Sequence, residues 1–190
     1  MACNPFSIKR NTTNCTENYA GVGTRVYFAL VEHLKDGVMP QYSEDLAGFP
    51  GDAFSSDAFD QGKGFYSIDI KKKSGKVTFE SNGFGRGFSN VLTFVVDSNM
   101  ESMAKLSRIV NNVDTLWMVS DGKGGYFVLY DPNFAPDITI SGDTGDAPDS
   151  DSGITVTVTA SPMKYGFAKW SPTEGVNPPM AADADTEPEA

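Results

Sequence analysis

Few residues in this chain are of types that run reactions. One histidine, His33, and two cysteines, Cys3 and Cys15, are all it holds of imidazole and thiol. Together they offer three metal ligands at no recognised spacing, where a structural zinc site takes four, so no metal is expected. No serine has a nucleophile-elbow context and neither cysteine has a base near it in sequence, which leaves a catalytic triad unsupported. Aspartates and glutamates are plentiful, yet no spacing suggests two of them held on opposite sides of a bound sugar. Asp143, Asp146, Asp149 and Asp151, followed by Gly153, faintly resemble a calcium loop, but the spacing is wrong and the closing glutamate is missing; a solvated loop is expected. Gly83-Phe84-Gly85-Arg86-Gly87 is not a dinucleotide fingerprint, because no helix begins after it to receive a pyrophosphate. It reads as a tight turn. No enzyme, catalytic residue or cofactor is expected.

Charge excludes further classes. The 190 residues carry a net charge of −10, and residues 171–190 contribute five acids without one base. An acidic chain without clustered cations lacks what phosphate-backbone binding needs, and a membrane surface is disfavoured on the same ground. No stretch approaches the ~20 apolar residues of a membrane span. The N-terminal Met1-Ala2-Cys3-Asn4-Pro5 shows no export signal, so a chain that is cytoplasmic when made is expected and the acceptor-like Asn11-Thr12-Thr13 and Asn14-Cys15-Thr16 are expected to stay unglycosylated. Cys3 and Cys15 could pair across a short loop, but free thiols are favoured in a reducing cell.

The elements that would position any site are mostly strands. Residues 1–22 are polar and turn-rich, an N-terminal arm; residues 23–170 form one β-rich domain; residues 171–190 form an acidic, Pro-rich tail expected to be disordered. Thr24 to Val31 alternates as a first strand. Lys35 to Gly64 then loses periodicity while holding Tyr42, Phe49, Phe54 and Phe59, so it is either a functional loop or a long irregular hairpin. Its aromatics need a surface, supplied by their own core or by a neighbouring subunit. Phe65 to Lys72 and Lys76 to Ser81 read as a hairpin turning at Lys73-Ser74-Gly75, and Phe88 to Asp97 as a strand buried on both faces.

The clearest module runs from Ser98 to Tyr130. Ser98 and Glu101 form a capping box, and Met100, Met103, Leu106, Ile109, Val110 and Val113 share one side of a helix spanning about residues 99–112. Glu101, Lys105 and Arg108 occupy the other side. Asn111-Asn112 ends the helix, and Thr115–Ser120 and Tyr126–Tyr130 follow as a hairpin around Asp121–Gly125. Asp137–Ile140, the alternating Gly153–Ala160 and Lys164–Trp170 complete the strands. The fold class is therefore mostly β, a β-sandwich or partial barrel with one flanking α-helix.

This order of elements, with Gly21-Val22-Gly23-Thr24-Arg25-Val26-Tyr27 opening the first strand, Ser141-Gly142-Asp143-Thr144-Gly145-Asp146-Ala147-Pro148 in the acidic loop and Gly153 to Thr159 after it, resembles the tail tube (major tail) proteins of tailed bacteriophages. The resemblance implies a virion structural protein whose rings, typically six subunits, stack into a hollow tail tube. DNA would pass through without specific binding, and other virion proteins would be partners. Each subunit would lend strands to a continuous inner barrel, and an acidic lumen would let DNA slide. Lys35–Gly64 would be the inter-ring loop, with Tyr42, Phe49, Phe54 and Phe59 as oligomer contacts, and Glu101, Lys105 and Arg108 would face outward from the ring. The acidic tail and the Gly83–Gly87 turn have no place in that pattern. Alternatives are another phage part (connector ring, capsid decoration, fibre module) or a carbohydrate-binding β-sandwich.

Overall fold

The computed structural model describes residues 22–43, 47–96, 100–143, 153–173 and 177–182. Two sheets face each other, antiparallel except for one parallel pair at an edge of the larger, as expected for a β-sandwich carrying one α-helix. The larger sheet orders its strands β2 (Gly48–Phe49), β10 (Lys169–Trp170), β7 (Tyr126–Leu129), β6 (Thr115–Ser120), β1 (Arg25–Leu30) and β3 (Tyr66–Asp69). The smaller one orders β4 (Lys76–Ser81), β5 (Phe88–Val96), β9 (Gly153–Met163) and β8 (Asp137–Asp143).

The alternation of β9 is realised as read. Ile154, Val156, Val158 and Ala160 are buried while Thr155, Thr157 and Thr159 are half-exposed. Opposite them, Phe94 meets Trp117 of β6 at 6.2 Å between ring centres, and Trp117 stacks on Phe28 at 5.1 Å. β6 is buried along Thr115–Val119 on both faces. One face meets the smaller sheet, and the other is on the side where Phe49 and Phe54 of the Lys35–Gly64 loop meet Tyr130 and Trp170.

That loop places Phe49, Phe54 and Phe59 in the core at 1%, 0% and 3% exposure. Phe54 packs edge-on to Trp170 at 5.5 Å and near Phe65 at 6.3 Å, and the Trp170 indole N–H donates to Gly51 O at 3.1 Å. Of the two surfaces weighed for these rings, the chain's own core is the one used. The loop is a third layer, not a hairpin.

Four readings are corrected. Residues 65–81 do not form a hairpin: β3 pairs with β1 in the larger sheet and β4 with β5 in the smaller. The turn is a corner between sheets, clamped where Lys71 N–H donates to Val95 O at 2.8 Å and the Ser74 hydroxyl donates to Lys71 O at 2.7 Å while accepting from Val95 N–H at 3.1 Å. β5 is fully buried on one face only: Asn90, Leu92, Phe94 and Val96 are buried, while Val91, Thr93 and Val95 on the other face are half-exposed. In the C-terminal tail, residues 177–182 are docked: Phe65 N–H donates to Pro179 O at 2.7 Å, and Phe65 O accepts from Ala181 N–H at 3.0 Å. A Cβ on Gly64 would lie 2.5 Å from Pro179 O, so only glycine admits this approach. The strand expected over Lys164–Trp170 is confined to Lys169–Trp170.

The helix, α1 (Met100–Val110), buries Met103, Leu106 and Val110 and exposes Glu101, Lys105 and Arg108, with Lys105 paired to Glu101 at 3.1 Å. Ile109, expected inside, is 43% exposed. Ser98 of the capping box lies outside the described residues.

In the β6–β7 turn, Asp121 Oδ1 accepts from Lys123 N–H at 2.8 Å and Gly125 N–H at 3.0 Å, and Oδ2 accepts from Lys169 Nζ at 3.0 Å. Burial pushes the Asp121 carboxyl up, but the Lys169 bond and the two N–H bonds outweigh it and the net shift is downward. A depressed value stabilises the fold above the unfolded-state pKa, and that stabilisation is lost as pH falls through the folded one. Asp121→Asn should therefore lose less stability than the parent between about pH 6 and about pH 3, measured by urea unfolding. Phe54→Ala should cost about 3–5 kcal/mol in the same assay, because it leaves a cavity beneath Trp170.

Candidate interaction surface

Of the residues whose types could do chemistry, only some are described. His33 ends a single turn at Val31–His33, its ring 6.3 Å from Tyr66. Cys3 and Cys15 lie outside the described residues, as do Asp146, Asp149 and Asp151, while Asp143 closes β8 opposite Gly153. Among the described residues no group of three His, Cys, Asp or Glu is arranged to hold a metal, and no helix is long and apolar enough to cross a membrane.

A depression of about 260 Å³ in the long loop is lined by Lys35, Asp36, Val38, Pro40, Asp57 and Ala58, with no convergent polar group beyond solvent-facing charges. Beside it, Tyr42 is held by its own chain. Its hydroxyl donates a shared bond to Tyr130 O at 3.0 Å and Asp131 Oδ2 at 3.2 Å, and its ring lies 4.6 Å from Phe49. Burial, then the Asp131 charge, pushes the Tyr42 phenol far above its ordinary range, so it remains a donor at every working pH. Asp131 also accepts from Asn133 N–H at 2.9 Å, which accounts for a carboxylate only 6% exposed.

Of the four aromatics expected as oligomer contacts, Phe49, Phe54 and Phe59 are thus occupied inside the subunit and Tyr42 is half-buried. What the loop turns outward is Val38, 68% exposed, with Lys35, Asp36 and Asp57.

The most exposed aromatic is elsewhere. Between β4 and β5 the chain turns through Gly83, Gly85 and Gly87 at φ of 94°, 73° and 74°, a conformation that glycine adopts without strain. Asn82 N–H donates to Gly87 O and Arg86 N–H to Gly83 O, so the tip is a formed turn. At its apex Phe84 is fully exposed. The sequence flagged the turn but gave no sign that the phenylalanine within it lacks a partner.

The sheet edges are the remaining surface. Among the described residues no strand pairs with the outer edge of β4 or of β8. The outward face between them carries Thr78, Thr93, Thr139, Thr155, Thr157 and Thr159, with Lys76 as its one basic residue and no aromatic. The class so defined is a β-sandwich with one flanking helix, a loop layer and one open four-stranded sheet. Compared with protein-family models, curated proteins and solved structures, the chain matches none.

Tyr42→Phe, which leaves the ring in place, should cost about 1–2 kcal/mol by urea unfolding, because Asp131 loses one of its donors. Phe84→Ser should leave stability within about 0.5 kcal/mol.

Proposed function

We propose that this chain is a structural subunit of a phage tail tube, self-assembling into rings, six subunits to a ring, that stack around a DNA channel. The open four-stranded sheet carries the reading. Its order β4-β5-β9-β8 is antiparallel throughout, so β8 runs opposite to β4. With an even strand count, rotating one subunit onto the next sets β8 antiparallel to the neighbour's β4, and the alternation continues round a closed ring. Closure removes two edges that would otherwise template uncontrolled pairing.

The hydroxyl-rich outward face would line the channel. It offers hydrogen-bonding groups but few cations, and the negative charge of the chain repels phosphates, so DNA slides instead of binding. A carbohydrate-binding sandwich would want exposed aromatic rings on that face, where there are none among the described residues. Other virion proteins would meet the tube at its ends.

Negative-stain microscopy of the concentrated full chain tests the reading. Annular particles or tubes are expected; a monomer at every concentration, also after adding preformed tail-tip complexes to start growth, would overturn it.

A further inference from the structure

The two open edges of the smaller sheet differ in chemistry, and the difference is complementary. On the β4 flank a line of phenylalanines runs from sheet to sheet: Phe127 to Phe167 at 5.4 Å, Phe167 to Phe79 at 4.5 Å and Phe79 to Phe88 at 6.1 Å between ring centres. Phe79 is 44% exposed, and Gly166 lies so close beneath it that a Cβ there would be 2.5 Å from the ring. Above this line stands the glycine-bounded tip with Phe84 and the exposed Arg86. The flank is aromatic and carries a cation.

The β8 flank carries Phe134, 52% exposed, then Asp137 at the surface and Ile138 and Ile140 half-buried. Phe134 is presented by a small turn closed by its bridge to Asp131. This flank is apolar and anionic.

Height matches as well. Thr78 pairs with Val91, Val91 with Thr159 and Thr159 with Asp137, so these four residues form one rung across the sheet. Phe79 and the tip lie beyond that rung on the β4 side, and Phe134, which precedes Asp137, lies beyond it on the β8 side. Rotation about a ring axis preserves height apart from strand tilt.

We infer that Phe79 and Phe84, with Arg86, receive Phe134, Ile138 and Asp137 of a second copy, making a directional side-chain contact outside the strand pairing. The inference rests on the ring reading and goes beyond it by naming the anchors. Phe84 would be the strongest: an aromatic ring moving from full exposure to a packed apolar site, held by a backbone that only glycines allow. Arg86 and Asp137 would set which edge meets which. The glycine turn, without a role in the monomer, would serve as a rigid arm.

The test uses full-length chains in a Cys3→Ser, Cys15→Ser background, one carrying Ser81→Cys and a separately tagged one carrying Ala135→Cys, mixed with a short bismaleimide cross-linker. Heterodimers are expected, with yield about tenfold above a control pairing Ala135→Cys with Gln61→Cys on the long loop. Adding Phe84→Ser to the first chain should lower the yield about tenfold, and Arg86→Glu should lower it until Asp137→Lys is introduced into the other chain. Yield equal to the control, or unaffected by Phe84→Ser, overturns the inference. Microscopy of the parent chain separates the two claims: rings without cross-links sink the contact alone, cross-links without rings sink the tube alone, and neither sinks both.

Discussion

The structure depends on a strand that must be covered twice. Leu116, Trp117, Met118 and Val119 of β6 are each fully buried, and consecutive strand residues point to opposite faces. A two-layer sandwich satisfies only one of those faces. The second requires a third layer, which the chain provides as an irregular loop whose phenylalanines replace the apolar face of a helix or sheet. Burying each phenylalanine gains about 2–3 kcal/mol, so the three rings offset a part of the entropy of fixing the loop. Phe49, Phe54 and Phe59 pin it to the core at three points.

Polar groups are used sparingly to fix joints. Ser74 sets the corner between sheets through Val95, and Asn90, 1% exposed, donates to Tyr165 O at 3.0 Å and accepts from Phe167 N–H at 3.3 Å, holding the turn that leads into β10. Tyr42 ties the loop layer to the end of β7. Each of these bonds joins segments far apart in sequence, so each specifies topology more than it adds stability.

What was legible in the sequence follows from this division. β9, α1 and the β6–β7 hairpin were readable because their signals are local: alternation, helical spacing, and Asp and Gly in a turn. The corner at residues 70–76 was misread because alternating strands flanking a short polar turn look alike whether the partner is each other or two different sheets. The pairing of β3 with β1 and of β4 with β5 decides it. The tail segment at residues 177–182 carries no apolar run, and its docking depends on Gly64 making room, which composition does not reveal. The long loop announced that its rings need a surface without saying whose. The exposed Phe84 could have been suspected only from a large ring set between glycines.

The early corner has a kinetic side. Once residue 76 is passed, the chain has committed β3 to one sheet and β4 to the other, yet β5 cannot bury Leu92, Phe94 and Val96 in a complete sheet until residues 153–163 have been made. β4 and β5 can pair at once, but their apolar face waits through the helix and an entire hairpin of the opposite sheet. Non-local pairing of this kind puts the loop-closure entropy before the reward, which slows folding relative to a fold built on local contacts. During synthesis the exposed half-sheet is the species most open to capture by a neighbouring chain, and the cell's supply of nascent copies thereby becomes part of the folding problem.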